Sequence, residues 1–173
     1  MPDTFIETAT ADAFDPRAFR DALGHYASGI TIVTGRGQTD EPVGFTCQSF
    51  YSVSLEPPLV SFCVRRESNS WPKIRPSGHF AVNVLHWDQV ALSNSFARSS
   101  GDRWAGVDWA PNAEGSPMIR DTLLTLECRF YAEHEAGDHL IVIGEVMRFV
   151  DEAKEHTASP LVYYKGRYHQ VSA

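Results

Sequence analysis

The stretch GFTCQSFYSVSLEPPLVSFCV, residues 44–64, decides how this chain reads. It sets Thr46, Gln48, Ser49, Ser52, Ser54 and Ser61 into an otherwise apolar strand–turn–strand pattern, with Leu55, Glu56, Pro57 and Pro58 as the turn. Hydroxyls and amides on a strand edge must find partners. Each of these could bond to neighbouring backbone; gathered together, they could instead line a ligand site. Small polar groups and free backbone N–H donors suit a ligand that combines a flat heteroaromatic ring with a phosphate.

Around this stretch the chain reads as mainly β with flanking helices. Residues 30–34, 43–50, 59–64, 79–85, 122–133, 139–150 and 161–171 are rich in Val, Ile, Leu, Thr and aromatics, and turn clusters bound them. Leu124, Leu126, Cys128 and Phe130 alternate cleanly, as in a half-buried strand, whereas 59–64 is a continuous apolar run that suggests cover on both faces. Asp15 and Pro16 form a helix start. Phe19, Ala22, Leu23 and Tyr26 follow at helical spacing with Gly29 as a stop, predicting a helix over 15–28 with one buried face. Two shorter helices are expected, over 70–75 with Ser70 as cap and over 87–96 with Val90, Leu92 and Phe96 turned inward. Residues 99–117 show no period and read as a loop, ordered if Trp104 and Trp109 are buried. Seven strands with few helices in one domain suggest a barrel with helices outside.

A length of 173 residues is about one domain. Residues 1–13 read as a flexible polar arm and 14–173 as the domain. The net charge of −7 argues against phosphate backbones and anionic lipid as generic partners. No apolar run has the length of a membrane span, and the first residues lack the basic and apolar regions of a signal peptide. Cys47, Cys63 and Cys128 are odd in number and far apart, as expected of reduced thiols in a cytoplasmic protein. No histidine pair has zinc-site spacing, so no metal is expected. The Gly35–Gly37 pair lacks a following helix and reads as a hairpin turn over 35–42, not a dinucleotide loop.

Three further segments could carry chemistry. Arg65 and Arg66 beside Ser68, Asn69 and Ser70 form either an anion seat or a solvated turn, and Arg98 and Arg103 make another basic pair. His139 follows Gly137 and Asp138 at the mouth of a strand, where Asp138 could fix its tautomer; it could equally be an idle turn residue. Tyr163, Tyr164 and Tyr168, with Lys165 and Arg167, are core or stack on a planar ligand. Cys47 and Cys63 lack a motif that supplies a base and read as packing residues.

Taken together, the segments FRDALGHYASGITIVT, VGFTCQSFYSVSLEPPLVSFCV, FAVNVL, AGDHLIVIGEV and PLVYYKGRY resemble the short-chain flavin reductases, the small components of two-component flavin-dependent monooxygenases. The likeness spans residues 14–170. It implies a six-stranded Greek-key split β-barrel that binds FMN or FAD, usually as a homodimer. On that resemblance Thr46, Cys47, Gln48 and Ser49 line the isoalloxazine edge, and Ser52 and Ser54 lie toward the ribityl chain or phosphate. Ser61, Phe62, Arg66, Ser68 and Asn69 hold the rest of the flavin tail, and Phe96, Ala97 and Arg98 cover the ring. His139 and the Tyr164, Lys165, Gly166, Arg167 turn meet the nicotinamide nucleotide, NADH rather than NADPH, with His139 as the residue that orients it for hydride transfer. Many relatives carry Thr-Ala-Asn-Ser where this chain has Thr46, Cys47, Gln48 and Ser49. The implied function is delivery of free reduced flavin to a separate oxygenase that hydroxylates an aromatic or related substrate. The alternatives are a non-catalytic flavin binder and a reductase of a ferric or corrin acceptor.

Overall fold

The computed structural model describes residues 14–153 and 159–171. The arm expected over 1–13 lies outside them. The elements in chain order are α1 (Pro16–Leu23), β1 (Ser28–Gly29), β2 (Thr31–Arg36), β3 (Pro42–Cys47), β4 (Tyr51–Leu55), β5 (Pro58–Arg65), α2 (Trp71–Ile74), β6 (His79–Val84), α3 (Val90–Ala97), β7 (Trp109–Pro111), β8 (Pro117–Ile119), β9 (Leu124–Ala136), β10 (His139–Asp151), β11 (Leu161–Tyr164) and β12 (Arg167–Gln170). Short 3-10 turns follow α2 and precede α3.

The main antiparallel sheet runs in the order β3-β2-β6-β9-β10-β5-β4. Strands β3 and β4 are neighbours in the chain yet lie at opposite ends of that order, so the sheet curls until its two ends meet and residues 48–50 bridge them. Pairing of β4 with β5 covers only Pro58 to Ser61. Beyond Ser61 the edge of β5 has no strand partner, and Ser49 fills in. Its hydroxyl accepts from the Cys63 N–H at 2.9 Å and donates to the Cys63 carbonyl at 3.0 Å. One side chain thus makes the two bonds a neighbouring strand would make, and β3 and β5 face each other across a gap. The expected strand over 43–50 therefore ends at Cys47, and the barrel is split.

The barrel interior is apolar. Phe62, Trp71 and Phe80 meet edge to face, with ring centroids 5.3, 5.5 and 5.9 Å apart. Trp71 comes from α2, which plugs one end of the barrel, and its indole N–H donates to Glu133 at 2.7 Å. Gly144 is required here, because a Cβ would stand 2.3 Å from the Phe80 ring tip. A second apolar cluster, with Ile32, Leu85, Phe96 and Leu161, packs outside the sheet beneath α3.

Several expectations shift. The run over 59–64 is not covered on both faces: Val60, Phe62 and Val64 are buried, while Leu59, Ser61 and Cys63 are half-buried. Conversely, the start of β9 is buried on both faces, because Asn112 and Arg148 cover Glu127, and Thr122 bonds Thr125. The first helix stops at Leu23, where Lys165 N–H takes the Gly24 carbonyl and β1 then pairs with β11. It buries none of its residues. Ser70 is the N-cap of α2, as expected, but its side chain makes no capping bond; the Ser68 hydroxyl accepts from the Ser70 and Trp71 N–H groups instead. The loop over 99–117 contains β7, which pairs with β8.

That β7–β8 hairpin is pinned by Asn83, which is fully buried. Its amide donates to the Ile32 carbonyl and the Thr34 hydroxyl, both at 3.0 Å, and accepts from Ile119 N–H at 2.9 Å. Asn83→Leu leaves the Ile119 N–H without a partner in an apolar setting. Urea denaturation should show a loss of about 2–4 kcal/mol, and a loss under about 0.5 kcal/mol would contradict this role.

Candidate active site in the barrel split

The gap between β3 and β5 is a groove of about 540 Å³, within the roughly 300–1,000 Å³ range of cofactor sites. One wall is Phe45, Thr46, Cys47, Gln48 and Ser49. The facing wall is Cys63, Val64 and Arg65, continued by Glu67, Ser68, Asn69 and Ser70. Phe96, Ala97, Arg98 and Ser99 at the end of α3 form the roof, with Arg103 beside it and His139 at the mouth.

The groove's hydroxyls are largely committed to holding it together. Ser49 closes the barrel. Thr46 donates to the Ser93 carbonyl at 2.6 Å and so fastens α3 to β3. The buried Ser93 hydroxyl bonds Tyr168 of β12 at 2.9 Å, which reaches Asn94 as well. Gly44 allows the close approach of α3, since a Cβ there would meet the Phe96 ring at 2.7 Å. Arg103 donates to the Gly44 carbonyl at 2.8 Å and to Ser70 at 3.1 Å, tying roof to wall. Left over are the amides of Gln48 and Asn69, the guanidinium groups of Arg65 and Arg98, and the remaining proton of Ser68. Among the described residues Gln48, Asn69, Arg65 and Arg98 make no side-chain hydrogen bond or ion pair. These are flat, multi-donor groups, and with the Phe45 and Phe96 rings they fit a planar heterocycle carrying an anionic tail.

His139 enters from the start of β10. Its Nδ1 lies 2.7 Å from Asp138 Oδ1. The bond from His139, and then its charge, hold the Asp138 carboxyl below its ordinary value of 3.8. Asp138 is therefore an ionised acceptor for His139 above that depressed value, and it loses that role as pH falls through it. A carboxylate only accepts, so Nδ1 carries the proton and Nε2 remains for a ligand. Burial pushes the Cys47 thiol up, and burial pushes Cys128 up to about 12. Both stay protonated at neutral pH and are packing groups, not nucleophiles.

Of the residues singled out from sequence, Thr46, Cys47, Gln48, Ser49, Ser68, Asn69, Phe96, Ala97, Arg98 and His139 converge on the groove. Others lie elsewhere. Ser52 and Ser54 sit on β4, Ser61 lies opposite Tyr51 and Ile143, and the Phe62 ring is in the barrel core. Arg66 points away to Glu135 at 3.5 Å, so Arg65 is the member of that pair that faces the groove. Tyr164, Lys165 and Gly166 line a second cavity of about 1010 Å³. It joins the groove through Gln48, Arg65 and His139, which line both. Arg167 lines neither. Phe45, Val64 and Ser99 are groove residues that the sequence pattern did not single out, although each lies one residue from one that it did.

A split antiparallel barrel with an open, donor-rich groove over its slit defines a nucleotide-binding split-barrel protein. Residues 23–172 match the model of the flavin reductase like domain. The reductase subunit HsaB of a flavin-dependent monooxygenase from Mycobacterium tuberculosis is 44% identical over 154 residues, covering 89% of this chain and 81% of that protein. The crystal structure of nitrilotriacetate monooxygenase component B from Mycobacterium thermoresistibile superposes with a TM-score of 0.88 at 41% identity, covering 94% of this chain and 89% of that one. An NADH:FAD oxidoreductase from Streptomyces globisporus, solved with NAD and FAD fragments, superposes with a TM-score of 0.83 at 34% identity, covering 91% and 95% of the two chains. The chain belongs to the flavin reductase-like family. Among the described residues no helix is long and apolar enough to cross a membrane.

Cys63 is half-buried on the groove wall while Cys47 and Cys128 are buried. Brief alkylation of the native protein should modify Cys63 first, and added FMN or FAD should slow that reaction. Equal labelling with and without both flavins would place the flavin elsewhere.

Proposed function

We propose that the protein is the reductase component of a two-component monooxygenase, passing hydride from NADH to FMN or FAD and releasing the reduced flavin to a separate oxygenase. The observation that carries this reading is the continuity of the groove with the second cavity through Gln48, Arg65 and His139. Two nucleotides can then meet without a separate dinucleotide-binding domain. When bound, the flavin supplies the hydride acceptor and the nicotinamide the donor; the chain supplies placement and electrostatics.

Each residue's part follows from what it has free. Gln48 and Arg65 stand at the junction and offer donors to the charge that appears on reduction. Asn69, Ser68 and Arg98 hold the polar tail. The Phe96 ring, fixed by Trp104 at 4.9 Å, keeps water off one side. His139, held by Asp138, turns Nε2 toward the incoming nicotinamide nucleotide as an orienting group, since hydride transfer needs no protein nucleophile.

Anaerobic mixing with NADH and FMN or FAD should bleach the flavin's visible absorbance, while a binding-only protein would leave the colour intact. His139→Ala should raise the NADH Michaelis constant about tenfold with flavin affinity unchanged. Equal kinetics in both proteins would remove the role.

The protein also exposes an apolar band, with Tyr51, Val53 and Leu55 on β4 and Met147 and Phe149 on β10. Leu55 is 90% exposed. Exposed apolar side chains on two strands of one sheet suit a second copy, and they support a homodimer. Leu55→Arg should shift sedimentation from dimer to monomer; an unshifted dimer would place the interface elsewhere.

A further inference from the structure

Helix α1 is a poor helix by burial and a good one by placement. Pro16, Phe19, Arg20 and Leu23 fall at i, i+3, i+4 and i+7, one face of the helix. All four line the second cavity. Phe19 and Leu23 remain 48% and 57% exposed, because nothing among the described residues fills the space before them. Phe19 is braced from behind by Phe14, with ring centroids 5.0 Å apart.

Across the cavity stands the tip of the β11–β12 hairpin. Lys165 there adopts φ 48°, a left-handed conformation usual for glycine or asparagine. A lysine held in such a conformation on a cavity wall is a candidate functional residue. Its N–H bonds the Gly24 carbonyl at 2.9 Å, so the tip and the end of α1 are fixed relative to each other. Arg20, Arg65 and Lys165 form no ion pair among the described residues. The carboxylates on this cavity are Asp138, already bonded to His139, and Asp21.

We propose that the inner face of α1 is a seat for the adenosine diphosphate half of a dinucleotide. The adenine lies against Phe19 and Leu23, and the diphosphate is held by Arg20 and Lys165. This rests on the hydride-transfer reading and extends it: the cavity opens into the groove at His139, where the reactive half of the same molecule would lie. Arg20, Arg65 and Lys165 outnumber the carboxylates on this cavity, and that excess of positive charge suits a diphosphate better than the apolar surface of a second copy. NADH and FAD both carry this half, whereas reduced nicotinamide mononucleotide (NMNH) and FMN lack it.

Calorimetry with ADP alone tests the seat without turnover, so its outcome is independent of whether the protein reduces flavin. ADP should bind, and Phe19→Ser and Arg20→Ala should each weaken it about tenfold. The preference for NADH over NMNH should fall by a similar factor in both variants. If the preference for FAD over FMN falls instead, the seat is occupied by the flavin's adenosine half, and the proposal stands with that source. No heat with ADP, or unaltered ADP affinity in both variants, overturns it. So does a Phe19→Ser protein whose only defect is a shifted monomer–dimer equilibrium.

Discussion

The Ser49 hydroxyl is the smallest part of this structure on which the most depends. The sheet order leaves β3 and the second half of β5 facing each other without a ladder between them. A complete ladder would close the barrel and remove the slit; no bond at all would let the two edges drift apart. Two hydrogen bonds from one side chain to Cys63 hold the edges together at one point and leave them open beyond it. The groove is the unzipped remainder of the barrel, and its walls start from the ends of β3 and β5, whose spacing the sheet itself fixes.

The residues that bind and the residues that build are therefore different in kind. A hydroxyl has a short reach and serves well as a fastener between neighbouring segments, which is how Ser49, Thr46 and Ser93 are used. Amides and guanidinium groups reach farther and present several donors in a plane. Gln48, Asn69, Arg65 and Arg98 are left uncommitted where a planar ligand would lie. The cluster of polar residues in 44–64 marks the right place in the sequence for a partly different reason: Thr46 and Ser49 form the frame, and the Gln48 amide between them is left to face the groove.

Much of this was legible from residues alone. The strand texture, the hairpin over 35–42, the small helices near 70 and 90 and the mouth position of His139 all follow from local pattern. What pattern could not supply was the destination of side chains whose partners lie far along the chain. Phe62 sits one residue from Cys63, yet strand alternation sends its ring to the core and the Cys63 side chain to the groove. Arg65 and Arg66 part in the same way at the strand end. Helix α1 has the spacing of a buried helix, but the space its apolar face addresses is a cavity. The buried amide of Asn83 looks in sequence like a polar interruption of a strand, and only the β8 backbone opposite explains it.

The fastening of α3 has a consequence for traffic through the site. The helix that roofs the groove is bound to β3 by Thr46 and to β12 by Tyr168, both through Ser93. It also rests on an apolar cluster separate from the barrel core. Shifting the roof would disturb a few polar ties and a thin greasy layer while the cylinder beneath keeps its packing. A cargo carrier whose passenger must disembark in every cycle gains from such a division, because unloading costs the scaffold little.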